Sequence, residues 1–243
     1  MTLHFLAYIL LRFWIGLLAI CPFVLLAPLS ELLSFVLFKV IRYRRKVISA
    51  NLQFCFPEKT KDERKEIENM FFRNFTDVSL ESLKAYSLSQ AELNKRYKFI
   101  NKEVLQNAKV SHQTALFLAA HFNNWEWATM TTGIQLGVEA SSLYKPLSNK
   151  FIDNYVKKAR QKHDARLVGD FKELLNTYRE RNKSKMMITG FLADQYPAQT
   201  KRKVALDFFG KKISFHSSAY DLKESLFDCS YFFHTRRVKR FHY

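Results

Sequence analysis

The chain is poor in residues that bend or cross-link a backbone. Its 243 residues include 6 Gly and 5 Pro, which leaves no room for a flexible linker or a low-complexity segment. Cys21, Cys55 and Cys229 are the only cysteines. With no CxxC and no His/Cys cluster, they exclude a disulfide framework and a zinc site and suit a reducing compartment. Acidic residues are also scarce. Against 39 Lys and Arg stand 22 Asp and Glu, a net charge of +17. Partners should therefore be acidic, and on charge alone nucleic acid, anionic lipid and an acidic carrier protein all stay open.

Apolar residues are plentiful: 48% of the chain, with 23 Phe, enough for a sizeable core. Residues 3–40 are overwhelmingly apolar, interrupted by His4, Arg12, Glu31 and Lys39, and nothing from Phe13 to Ser30 is charged. That run is long enough for a membrane helix, while Pro22 and Pro28 predict a kinked or partly re-entrant one. A buried core helix is the alternative. A cleaved signal peptide fits less well, because no basic start and no small-residue cleavage site stand out. Arg42, Arg44, Arg45 and Lys46 follow at once. Positive charge there marks a cytoplasmic side and would bind anionic headgroups, each basic residue contributing about 1 kcal/mol.

After Pro57, the Thr60-x-x-Glu63 spacing predicts a capping box opening a helix of some two dozen residues. Ile67, Phe71, Phe75 and Val78 give that helix an apolar face. From Tyr97 onward short apolar runs alternate with polar helical ones. Strands are predicted at Tyr97–Ile100, Ala115–Ala120, Ala140–Tyr144, Met186–Leu192, Val204–Phe209 and Tyr231–His234, with helices near 102–108, 124–136, 149–163, 170–181 and 217–226. The fold class is therefore α/β: a membrane-associated helical segment (1–41), a helical region (42–96) and an α/β sandwich with a mixed, largely parallel sheet (97–243).

One stretch organises the rest. Ala115 to Ala120 is apolar throughout, as in a strand buried on both faces, and it stops at His121. Asn123 can take a left-handed turn and Asn124 can cap the next helix. Glu126 then falls in its first turn, five residues after an imidazole presented at the carboxyl end of a strand, where ligands of open α/β sheets bind. As a bare pattern His-x4-acid is weak: seven histidines and this acidic share give about 0.6 chance matches, and the chain has two, the second being His216 with Asp221. Only His121 follows an apolar strand and precedes a capped helix.

These residues carry a resemblance. His121-Phe-Asn-Asn-Trp-Glu126 resembles the His-Phe-Gly-Asn-Trp-Glu block of the bacterial lipid A acyltransferases, within the lysophospholipid acyltransferase superfamily. Tyr43-Arg-Arg, Asn51-Leu, Phe56-Pro-Glu, Tyr144-Lys-Pro, Asp194-Gln195, Phe208-Phe-Gly and Arg237-Val-Lys-Arg agree in order, so the likeness spans nearly the whole chain. It implies an O-acyltransferase that moves a fatty acyl group from a thioester, expected on acyl carrier protein, to a hydroxyl of a phosphorylated glycolipid. His121 would be the general base and Glu126 its orienting acid, with amides at the start of the next helix holding the oxyanion. Asn124, Lys145, Arg160, Asp194 and Gln195 would meet substrate. Asp194 is expected either to orient the dyad or the acceptor, or to close a structural turn. Lys157, Lys158 and Lys162 make the helix that carries Asn149, Asp153 and Arg160 basic, whether as a phosphate contact or as a solvated face.

The absence of a GxSxG elbow favours direct transfer, and no metal or cofactor is needed. The expected setting is the bacterial inner membrane, with the catalytic part facing the cytoplasm, an anionic membrane as partner and no nucleic acid. Two departures from the family are visible. Lys145 replaces an arginine and loses its bidentate fork, and Phe215-His-Ser-Ser-Ala219 stands where a glycine-containing turn is usual, in a chain that ends at Tyr243. They keep open a catalytically impaired membrane protein. A basic nucleic-acid binder would account for the charge but not for residues 3–40.

Overall fold

The computed structural model describes residues 2–111, 113–163, 165–195 and 203–243, with the side chains of 107–111 and His216 left out. Helices α1 (Thr2–Ile20) and α2 (Phe23–Phe35), the latter running into a π-helical turn Val36–Ile41, are followed by α3 (Arg45–Cys55), α4 (Lys61–Ala85), α5 (Gln90–Arg96) and α6 (Lys102–Ser111). Strand–helix alternation then gives β1 (Thr114–Ala119), α7 (Trp125–Leu136), β2 (Glu139–Leu143), α8 (Lys150–Gln161), β3 (Arg166–Val168), α9 (Phe171–Glu180) and β4 (Met187–Leu192). The last elements are β5 (Lys203–Phe208), β6 (Lys211–His216), α10 (Ser218–Leu226) and β7 (Cys229–Phe232).

The main sheet runs β3-β2-β4-β1-β7 and all its pairs are parallel, while β5 and β6 form a separate antiparallel ribbon. Period two divides β1 between two cores. Ala115 and Phe117 pack with Leu136, Val138 and Ile188 on the α7 side. Leu116 and Leu118 pack with Leu174, Leu222 and Phe227 on the side of α9 and α10. The result is an α/β sandwich with the central strands buried on both faces.

The break between α1 and α2 falls at Cys21-Pro22, and Pro28 is accommodated inside α2. Each of the two apolar segments, Thr2–Ile20 and Phe23–Ile41, is long and apolar enough to cross a membrane by length and composition. Both lie against the rest of the protein: α1 on α4 and α8, α2 on α4. The buried Lys84 Nζ of α4 donates to the carbonyls of Leu18 at 2.6 Å and Cys21 at 2.7 Å, capping the α1 C-terminus. The opposite faces leave Leu3, Leu6, Phe13, Trp14, Ile20, Val24, Leu32 and Phe35 exposed.

The capping box is present in both halves: Glu63 N donates to Thr60 Oγ1 at 3.2 Å and Thr60 N to the Glu63 carboxylate at 2.7 Å. Three elements differ from the sequence expectation. Tyr97–Ile100 is not a strand. Lys98 N and the carbonyl of Arg96 bond Tyr243 instead, and the Tyr97 ring is buried against Tyr243 and Phe99. Its apolar residues serve a helical core, not the sheet. β3 is too short for its period to register, and β6 reads as polar because Ile213 is the one apolar residue of its Lys211-Lys-Ile-Ser214.

Candidate active site

The register of the central strands builds the site. In β1 and β4, Ala119 pairs with Leu192, so the residues two further on, His121 and Asp194, leave adjacent strands side by side. The Asp194 carboxylate accepts from His121 twice, from the backbone N–H at 2.9 Å and from ring Nδ1 at 2.7 Å. A carboxylate only accepts, so Nδ1 carries the proton and Nε2 presents its lone pair. Gln195 Nε2 lies 3.4 Å from that nitrogen. The ring is about one-third exposed and meets the Trp125 indole edge-on at 5.3 Å.

The turn after β1 forms as its asparagines dictate. Asn123 adopts φ 52° and Asn124 caps α7 by accepting from Trp127 N at 3.0 Å. Asn124 is fully buried, and its amide donates at 2.7 Å to Glu81 Oε2, which also takes the Tyr243 hydroxyl at 2.6 Å. Burial pushes the Glu81 carboxyl above its ordinary range. Asn124 thus holds the turn from below, with its polar groups turned into the protein. Of the amides expected to hold an oxyanion, Trp125 N donates to Asn123 O and Trp127 N to Asn124.

Glu126 does not meet His121. Its buried carboxylate takes both Nε (2.9 Å) and Nη2 of Arg160 from α8, so the carboxylate oriented on the imidazole is Asp194. The physical reason is direction: in the first turn of α7 Glu126 points into the helix layer, where the equally buried Arg160 would otherwise be an uncompensated charge. Burial lowers the guanidinium pKa while Glu126 raises it, and the carboxylate wins. Arg160 also lies 5.8 Å over the Trp125 ring and 5.2 Å over Tyr144. Lys145 is exposed beyond β2. Nearby, Asn149 caps α8, and Asp153 accepts the Tyr144 hydroxyl at 2.5 Å and Leu147 N at 2.8 Å. In the second His-x4-acid pair, Asp221 accepts the Ser217 hydroxyl at 3.0 Å.

A narrow apolar cavity of about 70 Å³ runs from Trp125 and Arg160 between α7 and the sheet, past Ala119, Ala128 and Gly190 to Phe117 and Phe233. Those two rings stack at 6.2 Å and also border an open groove of about 850 Å³ along β7. Among the described residues no group of three or more His, Cys, Asp or Glu lies close enough to hold a metal.

The site is a histidine at the carboxyl end of a central parallel strand, paired to an acid and packed on a tryptophan that lines an apolar cavity, and the comparison with known proteins decides the family. The profile of bacterial lipid A biosynthesis acyltransferases matches residues 1–224. The chain belongs to that family. A lipid A biosynthesis acyltransferase of Haemophilus influenzae is 28% identical over 144 residues, which are 58% of this chain and 44% of that protein. The match thus spans less than half of the relative's length. Sequence reasoning named His121, Asn124, Arg160 and Asp194. It missed Glu81 and Tyr243, whose only sequence signal is an acid on a helix otherwise read as core and a terminal tyrosine.

Proposed function

We propose that the chain transfers a fatty acyl group from a thioester on acyl carrier protein to a hydroxyl of a phosphorylated glycolipid at the cytoplasmic face of the inner membrane. The observation that carries this is the His121–Asp194 pair packed against Trp125, which lines the apolar cavity, in a chain of this family. His121 Nε2 takes the acceptor hydroxyl proton as its oxygen attacks the thioester carbonyl. Asp194 keeps the proton on Nδ1 and stabilises the imidazolium. The tetrahedral adduct collapses by breaking the C–S bond, and the imidazolium returns its proton to the departing thiolate. An ester and the carrier thiol result, with no covalent enzyme intermediate. The Glu126–Arg160 pair holds Trp125 and the mouth of the cavity in place.

Lys145 and Gln195, exposed at the rim, are the groups for the acceptor phosphate and sugar, and the charge of +17 suits both an acidic carrier and anionic lipid. Helices α1 and α2 lie along the domain with apolar outer faces, as in a protein seated within one leaflet. Exposed Arg42, Arg44, Arg45 and Lys46 would then sit at its headgroups.

The test is turnover of an acyl-carrier thioester with a phosphorylated glycolipid acceptor. Wild-type protein should form the ester, His121→Ala should lose about two to four orders of magnitude, and His216→Ala should stay near wild-type. An inactive wild type would return the chain to the impaired-member reading, and a larger loss in His216→Ala would overturn the assignment of the base.

A further inference from the structure

The β5–β6 ribbon (Lys203–His216) leads through α10 to β7, and neither of its strands joins the main sheet. Its register pairs Val204 with Phe215, Leu206 with Ile213 and Phe208 with Lys211. Residues directly opposite in an antiparallel pair share a face. One face of the ribbon therefore carries Val204, Leu206, Phe208, Ile213 and Phe215 with Lys211 at its tip end, while Ala205, Asp207, Lys212 and Ser214 occupy the other. Every residue of β5 is exposed, with Leu206 51% accessible. A lone two-stranded ribbon is marginal in water, and an uncovered apolar face makes it more so.

The tip adds an independent observation. Phe209 and Gly210 form a two-residue turn with φ 51° and 73°. Such a turn prefers Asn or Asp before Gly, and a bulky side chain with φ > 0 is strained. A phenylalanine nevertheless stands there, 57% exposed. It touches Phe54 at the end of α3, with centroids 6.3 Å apart, and Lys211 lies 4.2 Å over the Phe54 ring. The ribbon is thus joined to the helix that begins at the basic cluster Arg42–Lys46, directly after the apolar segment Phe23–Ile41.

We propose that this ribbon is a second membrane contact: its apolar face and Phe209 enter the headgroup–acyl boundary of an anionic bilayer, and Lys211 and Lys212 meet lipid phosphates. The inference rests on the membrane seating proposed above. Lipid is the occupant the observations favour over protein, because Lys211 stands at the tip end of the apolar face with Lys212 next to it, and the ribbon touches α3, which continues the helices whose own apolar faces are uncovered.

The test uses the full chain with Cys21, Cys55 and Cys229 replaced by serine, carrying one fluorescent label on a cysteine at 24, 206, 207 or 209, in phosphatidylglycerol-containing vesicles doped with a lipid-borne quencher. Positions 206 and 209 should be quenched like 24, and at least about twofold more than 207 on the opposite face. In the unsubstituted chain the same vesicles should slow trypsin cleavage at Lys211 and Lys212, and purely zwitterionic vesicles should slow it less. Quenching at 24 without quenching at 206 and 209 overturns the ribbon contact and leaves the seating intact. No quenching at 24 overturns both. Equal quenching at 206 and 207, or lipid-free protection that rises with protein concentration, would assign the face to another arrangement or to a second copy. Unchanged trypsin cleavage also overturns the proposal.

Discussion

His121 and Asp194 lie 73 residues apart in sequence and 2.7 Å apart in space. The sequence shows both strand ends but not that β1 and β4 are neighbours in register, which is a tertiary fact. Glu126, five residues from His121, is the nearer acid in sequence, and the buried Arg160 claims it. The two carboxylates therefore separate by readout. Asp194→Asn leaves a part-exposed site and should cost about two to three orders of magnitude in turnover, with little change in melting temperature, because the imidazole loses its tautomer control. Glu126→Gln strands a buried guanidinium and should destabilise the fold by about 3–5 kcal/mol. Thermal melts and turnover on the same preparations check both. A stable but inactive Glu126→Gln beside an active Asp194→Asn would restore the local His–Glu dyad.

Among the elements, those with a local signal were legible. The Thr60 capping box, the apolar strand before His121 and the Asn124 cap all follow from chemistry within a few residues. Tyr97–Ile100 misled because alternation reports burial of a face and is silent on what buries it, here Tyr243 and helical neighbours. The junction between α1 and α4 carried no signal, since a lysine on a helix face reads as solvated. Lys84 is nevertheless 3% exposed, and its Nζ is fixed by carbonyls of α1 even though burial holds its pKa below the usual lysine value. Lys84→Met removes that cap at nearly constant volume. It should cost about 2–3 kcal/mol by denaturant titration in detergent. A loss under 0.5 kcal/mol would mean that water caps the helix equally well.

At the scale of the whole molecule, one buried aspartate ties both ends of the chain to its middle. Asp77 of α4 accepts from Arg237 and from Arg240, and Arg240 also reaches the carbonyl of Ala27 at 3.2 Å and Glu31 at 3.2 Å. Burial would raise the Asp77 pKa, but the bonds from Arg240 and Arg237 outweigh it and hold the carboxyl below its unfolded value near 3.8. Its stabilisation is accordingly present above that value and lost as pH falls through the lower folded one. Asp77→Asn should be less stable than wild-type at pH 7 by about 2–4 kcal/mol, and the gap should close as pH drops below about 3.8. Melting curves across that range check it, and a gap independent of pH would place the loss elsewhere.

The turn between α1 and α2 is not a free tip: Lys84 grips its carbonyls, and Phe23 packs among Trp127 and Phe241. A catalytic domain on a tether can roll over a bilayer and sample many poses. One whose apolar helices are bolted along its flank would have a fixed attitude, and in the seating proposed above His121 would keep one height and one heading relative to the lipid. With that seating and the lipid acceptor proposed above, the search for an acceptor would become lateral diffusion in two dimensions past a stationary mouth, and only lipids of the leaflet that holds those helices would enter the competition.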